Sequence, residues 1–180
     1  MGIMYIAMKH KDIAEACGKM AEEQMQRFGK PECIIYMERG GMVPARLMSD
    51  NLDCSNVIGI RTKKYVDVGK VDKLIIDRFS RKEIENLGIR DGHVLIVDDI
   101  SDSGETFIEV KKLVAEILPQ VRIVTAAPVY KEGTKHIPDI SPIKVGHENW
   151  VVFEYEYNET KRSFEQQKNE AALAWLKNAF

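Results

Sequence analysis

The sequence predicts an α/β fold with a mostly parallel central sheet flanked by helices, and two features of its pattern support this. Short apolar runs without polar alternation recur along the 180 residues, as is typical of strands that are buried on both faces. Segments whose apolar residues have helical spacing separate these runs. Strands that alternate with helices in this way form parallel sheets, because the helices supply the crossovers.

The first half of the chain is predicted to contribute two helices and three strands. A helix is expected over residues 11–28, and a buried strand follows over Cys33–Met37. Pro44 suits the first turn of the second helix. Strands are then expected over residues 55–60 and 74–76, with a basic, glycine-containing hairpin or mobile loop between them.

The second half repeats the pattern. A short helix and turn over residues 79–91 precedes the apolar run Val94–Val97. Helical spacing follows over Phe107–Ile117, and a near-continuous apolar run then predicts one central strand over residues 121–130. Trp150–Phe153 is the last predicted strand.

The composition argues against several classes of function. The 26 Lys and Arg residues are balanced by 28 Asp and Glu residues, giving a net charge of −2, so no nucleic-acid partner is expected. No stretch reaches the roughly 18 apolar residues that indicate a membrane span. The three cysteines are far apart and the four histidines are scattered, so we expect reduced thiols, no zinc site and a cytoplasmic location.

One stretch, Val94–Thr106, carries the main functional signal. Its strand ends at two adjacent acids, Asp98 and Asp99, and a turn of small residues over 102–106 leads into the next helix. Unpaired backbone N–H groups and the positive end of the helix dipole make such a junction suitable for a phosphate group. The paired acids before it suit a sugar hydroxyl pair or a divalent cation.

A second candidate anion site follows the strand over Cys33–Met37. Arg39 provides a fixed cation, while Gly40 and Gly41 allow positive φ values and let a ligand approach the backbone. A tight turn with a surface arginine is the alternative. The segment Arg61–Lys70 holds three lysines and an arginine, which suits either a cover over bound anions or a solvated hairpin.

Four candidate site pieces each follow the carboxyl end of a predicted strand. In open parallel sheets, ligands bind outside these ends, so the separate pieces are expected to meet at one edge. They are the turn Arg39–Gly41, the stretch Asp98–Thr106, Lys131 and the loop after Ile60.

These residues resemble a known family, the type I phosphoribosyltransferases. The stretch Leu95–Thr106 closely resembles that family's motif for phosphoribosyl pyrophosphate (PRPP), and Arg39-Gly40-Gly41 resembles its pyrophosphate loop. The basic loop with Lys64 and Tyr65 resembles the flexible hood. The resemblance covers nearly the whole chain and implies a single domain over residues 1–180 with the type I phosphoribosyltransferase fold.

Within the family, the resemblance is closest to the xanthine-guanine and hypoxanthine phosphoribosyltransferases. Lys131 at a strand end and the strand Trp150–Phe153 carry it. We therefore expect a hood region at about residues 61–73 and a base-recognition segment at about 131–157. Apolar spacing predicts a C-terminal amphipathic helix at about 163–180, which offers a surface for contact between subunits.

The resemblance assigns roles to individual residues. Contacts to PRPP are expected from Arg39, Gly40, Gly41, Lys64, Tyr65, Asp98, Asp99, Ser101, Asp102, Ser103, Gly104, Glu105 and Thr106. Contacts to the base are expected from Asp102, Lys131, Trp150 and Val151. Asp98 and Asp99 would hold the ribose diol and Mg²⁺, and Asp102 would act as the general base that takes or shares the N7 proton. A cis peptide bond between Glu38 and Arg39 is also implied.

The base-recognition residues indicate which purine is used. Lys131 has only donors, so beside the C6 edge it accepts a 6-oxo group and opposes a 6-amino group. Trp150 would stack on the purine ring. The alternative for Lys131 is a surface lysine without a binding role, and the alternative for Trp150 is an aromatic residue of the core. The chain departs from the family at Glu154, where many members have proline.

The implied function is purine salvage: transfer of the phosphoribosyl group from PRPP to hypoxanthine, guanine or xanthine, with Mg²⁺. Two alternatives stay open, a phosphoribosyltransferase for another base such as adenine or a pyrimidine, and a non-catalytic protein that senses PRPP. Because the family forms dimers or tetramers, a homodimer or homotetramer is expected.

Overall fold

The structure, a computed structural model, describes residues 4–65, 73–76 and 78–180, and it describes side chains for these residues except 63–65, 73–76 and 78–80. The described residues form ten strands, six α-helices and one 3₁₀ turn at Glu154–Glu156. The strands are β1 (Met4–Met8), β2 (Cys33–Glu38), β3 (Val57–Tyr65), β4 (Lys73–Ile76), β5 (His93–Val97), β6 (Ile100–Ser101), β7 (Arg122–Ala126), β8 (Val129–Lys131), β9 (Ile143–Val145) and β10 (Asn149–Phe153). The helices are α1 (His10–Arg27), α2 (Met42–Asn51), α3 (Arg78–Asn86), α4 (Glu105–Ile117), α5 (Tyr157–Gln166) and α6 (Glu170–Ala179).

A five-stranded sheet with the order β4-β3-β2-β5-β7 forms the centre of the fold. β2 pairs in parallel with β3 and β5, and β5 pairs in parallel with β7, whereas β3 and β4 are antiparallel. Two smaller parallel sheets, β1-β10 and β6-β8-β9, lie beside it. The predicted α/β fold with a mostly parallel sheet is confirmed.

Helices cover both faces of the central sheet. Neighbouring residues of a strand face opposite sides, so an unbroken apolar strand has apolar side chains on both faces for helices to bury. Ile34 packs in one buried cluster with Met20 of α1 and Met48 of α2. Ile35 packs in a second buried cluster with Phe107 of α4. Burial on both faces explains the unbroken apolar sequences of β2 and β5. The polar residues that follow these strands are thereby left at the carboxyl edge of the sheet.

The apolar run over residues 121–130 was predicted as one strand, and that prediction is wrong. The structure divides it into β7 and β8, with Ala127 and Pro128 between them. Pro128 has no backbone N–H to donate to a sheet ladder, which favours a break at this point. β7 stays in the central sheet, whereas β8 pairs with β6 and β9. Lys131 is therefore carried by a small separate sheet beside the predicted phosphate-binding turn.

The C-terminal region also differs from the single helix expected at about residues 163–180. α5 begins earlier, at Tyr157, and the chain turns at Lys168, where φ is +53°. The side chain of Asn169 caps α6 by accepting a hydrogen bond from the N–H of Ala172. Phe164 of α5 and Leu176 of α6 pack in a common buried cluster. Within the described residues, no helix is long and apolar enough to cross a membrane.

Candidate active site

The turn predicted to bind phosphate joins β6 to α4 and lines a cavity of about 280 Å³. Gly104 has a φ of +79° and caps α4, whose first residue is Glu105. A Cβ atom at Gly104 would overlap the backbone N of His136, so only glycine fits there. The cavity walls are residues 98–104 together with Thr106 and Phe107. The predicted phosphate-binding turn and the paired acids therefore surround one space.

The loop after β8 supports this turn from behind, and residues 132–141 are called the bracing loop below. The hydroxyl of Ser101 donates to the carbonyl oxygen of His136 at 2.6 Å. The N–H of Lys135 donates to the carbonyl oxygen of Ser103 at 3.0 Å. These bonds tie the turn to a loop distant in sequence, which the sequence did not indicate.

The bracing loop is anchored to β7 through Thr125, which is fully buried. Asp139 Oδ2 accepts hydrogen bonds from the backbone N and the hydroxyl of Thr125, at 2.8 and 2.7 Å. Because the hydroxyl hydrogen is used in this way, Thr125 Oγ1 can only accept from His136 Nε2, 3.0 Å away. His136 is therefore assigned the tautomer with a proton on Nε2. Burial lowers the pKa of His136, which favours the neutral ring.

The paired acids lie at the carboxyl end of β5, and both carboxyls have a raised pKa. Burial raises the pKa of the Asp98 carboxyl, and neighbouring Asp99 raises it further. Burial and the nearby carboxylate of Glu156 raise the pKa of Asp99 to about 7. The hydroxyl of Tyr155 donates to Asp99 Oδ2 at 3.3 Å and partly opposes this. The site therefore concentrates more negative charge than its surroundings stabilise, which favours a bound cation.

The donor set of Asp98 and Asp99 fits Mg²⁺ only in part. Carboxylate oxygens are ligands that this ion prefers. Among the residues that the structure describes, no group of three or more His, Cys, Asp or Glu is arranged to hold a metal ion. Mg²⁺ is commonly held by one or two carboxylates together with water and substrate phosphates. The residues thus suit an ion that binds together with a phosphorylated substrate.

The turn after β2 approaches the paired acids closely. The peptide bond between Glu38 and Arg39 is cis, as the family resemblance implied. Gly40 and Gly41 would allow positive φ values, but neither adopts one. Their role is close packing, because a Cβ atom at Gly40 would overlap the carboxylate of Asp99. The turn and the acids therefore border the same space.

Arg39 is exposed and pairs with a residue that the sequence did not indicate. Its Nη2 atom lies 2.9 Å from Oε1 of Glu159 on α5, and its side chain is 77% exposed. An exposed ion pair of this kind contributes little to stability, because water screens the attraction between its charges. The guanidinium can therefore exchange Glu159 for an anionic ligand at small cost.

The residues predicted to contact a base line one cavity of about 160 Å³. Lys131 Nζ lies 3.0 Å from Asp102 Oδ1 and 5.9 Å from the centre of the Trp150 ring. Lys131 is 8% exposed, which argues against a simple surface lysine, and Trp150 is 53% exposed, which argues against a core aromatic residue. Val151 and Glu156 also line this cavity. We call this space the base cavity.

Lys64 and Tyr65 end β3, but their side chains lie outside the described residues, as does most of the predicted hood, residues 66–72.

Glu156 and Glu159 belong to the site but were not predicted from the sequence. The acidic stretch that follows the last predicted strand was their only signal, and acids in such a position are often merely solvated.

Known proteins of one family resemble this chain. A sequence model of the family described as "Phosphoribosyl transferase domain" matches residues 8–160. A xanthine-guanine phosphoribosyltransferase from Cereibacter sphaeroides is 31% identical over 130 residues, 71% of each chain. One from Nitratidesulfovibrio vulgaris is 27% identical over 148 residues, 82% of this chain and 79% of the relative.

Solved structures show the same relationship. A purine phosphoribosyltransferase from Pyrococcus horikoshii has a TM-score of 0.69 at 27% identity, covering 84% of this chain and 93% of its own. A xanthine-guanine-hypoxanthine phosphoribosyltransferase from Helicobacter pylori has a TM-score of 0.68 at 19% identity, covering 90% and 99%. The second likeness concerns the fold alone.

Proposed function

The chain belongs to the phosphoribosyltransferase family, and on that premise we propose that it transfers the 5-phosphoribosyl group of PRPP to a 6-oxopurine. The products would be the nucleoside 5′-monophosphate and pyrophosphate, and the bases hypoxanthine, guanine or xanthine. The observation that supports this most is the Lys131–Asp102 pair, at 3.0 Å, in one cavity with Trp150. The names of the relatives, xanthine-guanine and purine phosphoribosyltransferases, support the same class of base.

The cavity beside the paired acids suits the PRPP half of the reaction. Backbone N–H groups at the start of α4, with the hydroxyls of Ser103 and Thr106, would bind the 5′-phosphate. Asp98 and Asp99 would hold the ribose hydroxyls. Arg39 and the turn after it would bind the pyrophosphate as negative charge grows on it. Mg²⁺, when bound with the substrate, would supply further positive charge there.

The base cavity suits the second half. The purine would bond through N9 to C1′ of the ribose while the bond from C1′ to pyrophosphate breaks. Asp102 would take or share the N7 proton, and the ammonium of Lys131 would donate to O6. Trp150 would stack on the ring. An amino group at C6 would instead point hydrogens at the ammonium, and a mismatch of this kind can discriminate by about 10⁴.

Pyrophosphate release tests this proposal. The protein is incubated with PRPP, Mg²⁺ and, separately, hypoxanthine, guanine, xanthine, adenine and uracil. We expect release with at least one 6-oxopurine. Release with adenine or uracil alone would favour a phosphoribosyltransferase for another base. Tight PRPP binding without release from any base would favour the non-catalytic sensor.

A further inference from the structure

A second cavity, of about 390 Å³, adjoins the base cavity and is called the outer cavity here. The two cavities share Trp150, Val151 and Glu156. The remaining walls come mainly from α5, with Tyr5 of β1 on one side. The proposed reaction of an unsubstituted purine gives this space no role, since Asp102 and Lys131 line the base cavity and not the outer one.

The orientation of the purine in the base cavity determines which of its ring positions points away from Lys131 and Asp102. With O6 and N7 facing Lys131 and Asp102, C2 lies across the six-membered ring from C5, the carbon that carries N7. A substituent at C2 therefore points away from the Lys131–Asp102 pair. Val151 and Glu156 line the base cavity together with that pair, and both also border the outer cavity. A C2 substituent that passes between them would enter the outer cavity.

The lining of the outer cavity favours hydrogen-bond donors. Glu159 is already paired with Arg39 at 2.9 Å. For the side chain of Glu156, by contrast, no hydrogen bond or ion pair is found among the residues that the structure describes, and burial and Glu159 raise the pKa of its carboxyl while Arg39 lowers it. Trp150 and Tyr5 also line the cavity, and the face of an aromatic ring attracts a cation within about 6 Å. An ammonium or a similar donor would complement this lining, whereas an alkyl group would leave the carboxylate of Glu156 without a partner.

We propose that the protein accepts 6-oxopurines whose C2 amino group carries a short substituent ending in an ammonium or another hydrogen-bond donor, held in the outer cavity by Glu156. The inference rests on the proposed function and extends its substrate class from plain 6-oxopurines to C2-substituted ones.

Three bases test it: guanine, N2-(2-aminoethyl)guanine and N2-propylguanine, the last two matched in length. Pyrophosphate release from PRPP and Mg²⁺ at pH 7.5 gives kcat/KM for each. We expect the aminoethyl base to be used within about tenfold of guanine. We also expect it to exceed the propyl base by about tenfold or more, the gain typical of a charge-assisted hydrogen bond.

Two variants locate the substituent. Ser163→Leu should narrow the outer cavity, lowering kcat/KM for the aminoethyl base by about tenfold while leaving guanine unchanged. Arg162→Leu is the matched control, because Arg162 is exposed on the same helix and lines neither cavity. Glu156→Gln should remove the preference for the aminoethyl over the propyl base.

Different experimental results would contradict the proposed function and the outer-cavity inference. Turnover of guanine with rejection of both substituted bases would contradict the outer-cavity inference and leave the proposed function standing. Equal losses for guanine and the aminoethyl base in Ser163→Leu would contradict it as well. Absence of pyrophosphate release with every base would contradict the proposed function, and the inference with it.

Discussion

Lys131 Nζ lies 3.0 Å from Asp102 Oδ1, and this ion pair joins the end of β8 to the turn that precedes α4. The lysine is nearly buried while the carboxylate is largely exposed, so the carboxylate compensates a charge that water hardly reaches. A purine that accepts at O6 and donates from N7 would fit against the two groups together. The pair therefore links the choice of base to the proposed proton transfer.

Replacement of Asp102 tests the proton transfer. Asp102→Asn should lower kcat by about 10²–10⁴, because the amide cannot take the N7 proton, and should change PRPP affinity much less. Steady-state kinetics with hypoxanthine and PRPP titrations measure the two effects. An unchanged kcat would show that Asp102 is not the general base.

Arg39 and Glu159 provide an opposed pair of variants. Arg39→Ala should weaken pyrophosphate and PRPP binding by about tenfold or more, because a charged hydrogen bond is lost. Glu159→Gln should strengthen pyrophosphate binding by up to about fivefold, because Arg39 no longer leaves an ion partner. Equilibrium titration with pyrophosphate measures both. Weaker binding in Glu159→Gln would mean that Glu159 positions Arg39 instead of competing for it.

The paired acids predict how stability depends on pH. The pKa of Asp99 is raised from its ordinary value of 3.8 to about 7, so the folded state holds this proton more tightly than the unfolded state does. The free energy of unfolding should therefore fall as the pH rises from about 4 to about 7. Asp99→Asn should flatten this slope. Urea unfolding at pH 5 and pH 7.5 measures it, and identical slopes in the two proteins would contradict the prediction.

The bracing loop should matter for PRPP and less for the base. Thr125→Val removes the hydroxyl that bonds Asp139 and His136, which should cost about 1–3 kcal/mol of stability. The loosened turn should raise the KM for PRPP several-fold with a smaller change for the base. Thr125→Ser keeps the hydroxyl and is the control. Equal KM values for PRPP in the two variants would refute a positioning role for Thr125.

The local sequence pattern was sufficient to predict the buried strands and the position of the paired acids. The apolar runs of β2 and β5 predicted buried parallel strands, because only strands covered on both faces lack polar alternation. Likewise the position of Asp98 and Asp99 directly after β5 placed them at the carboxyl edge of the sheet. These inferences need no knowledge of distant residues.

Contacts between distant segments were not predictable in this way. Two glycines after a strand are compatible with positive φ values or with close packing, and only the position of the Asp99 carboxylate decides for Gly40. The bond between Thr125 and His136 depends on how the bracing loop folds back on β7. Glu159 belongs to a helix that begins within a stretch whose polar sequence gave no helical period.

The most direct test of the proposed function is the ratio of kcat/KM for hypoxanthine, guanine and xanthine to that for adenine, measured with saturating PRPP and Mg²⁺. Because Lys131 offers only donors to the C6 edge, we expect at least one 6-oxopurine to exceed adenine by about 10⁴. Comparable kcat/KM values for adenine and the best 6-oxopurine would contradict the assignment of Lys131, and with it the proposed substrate class.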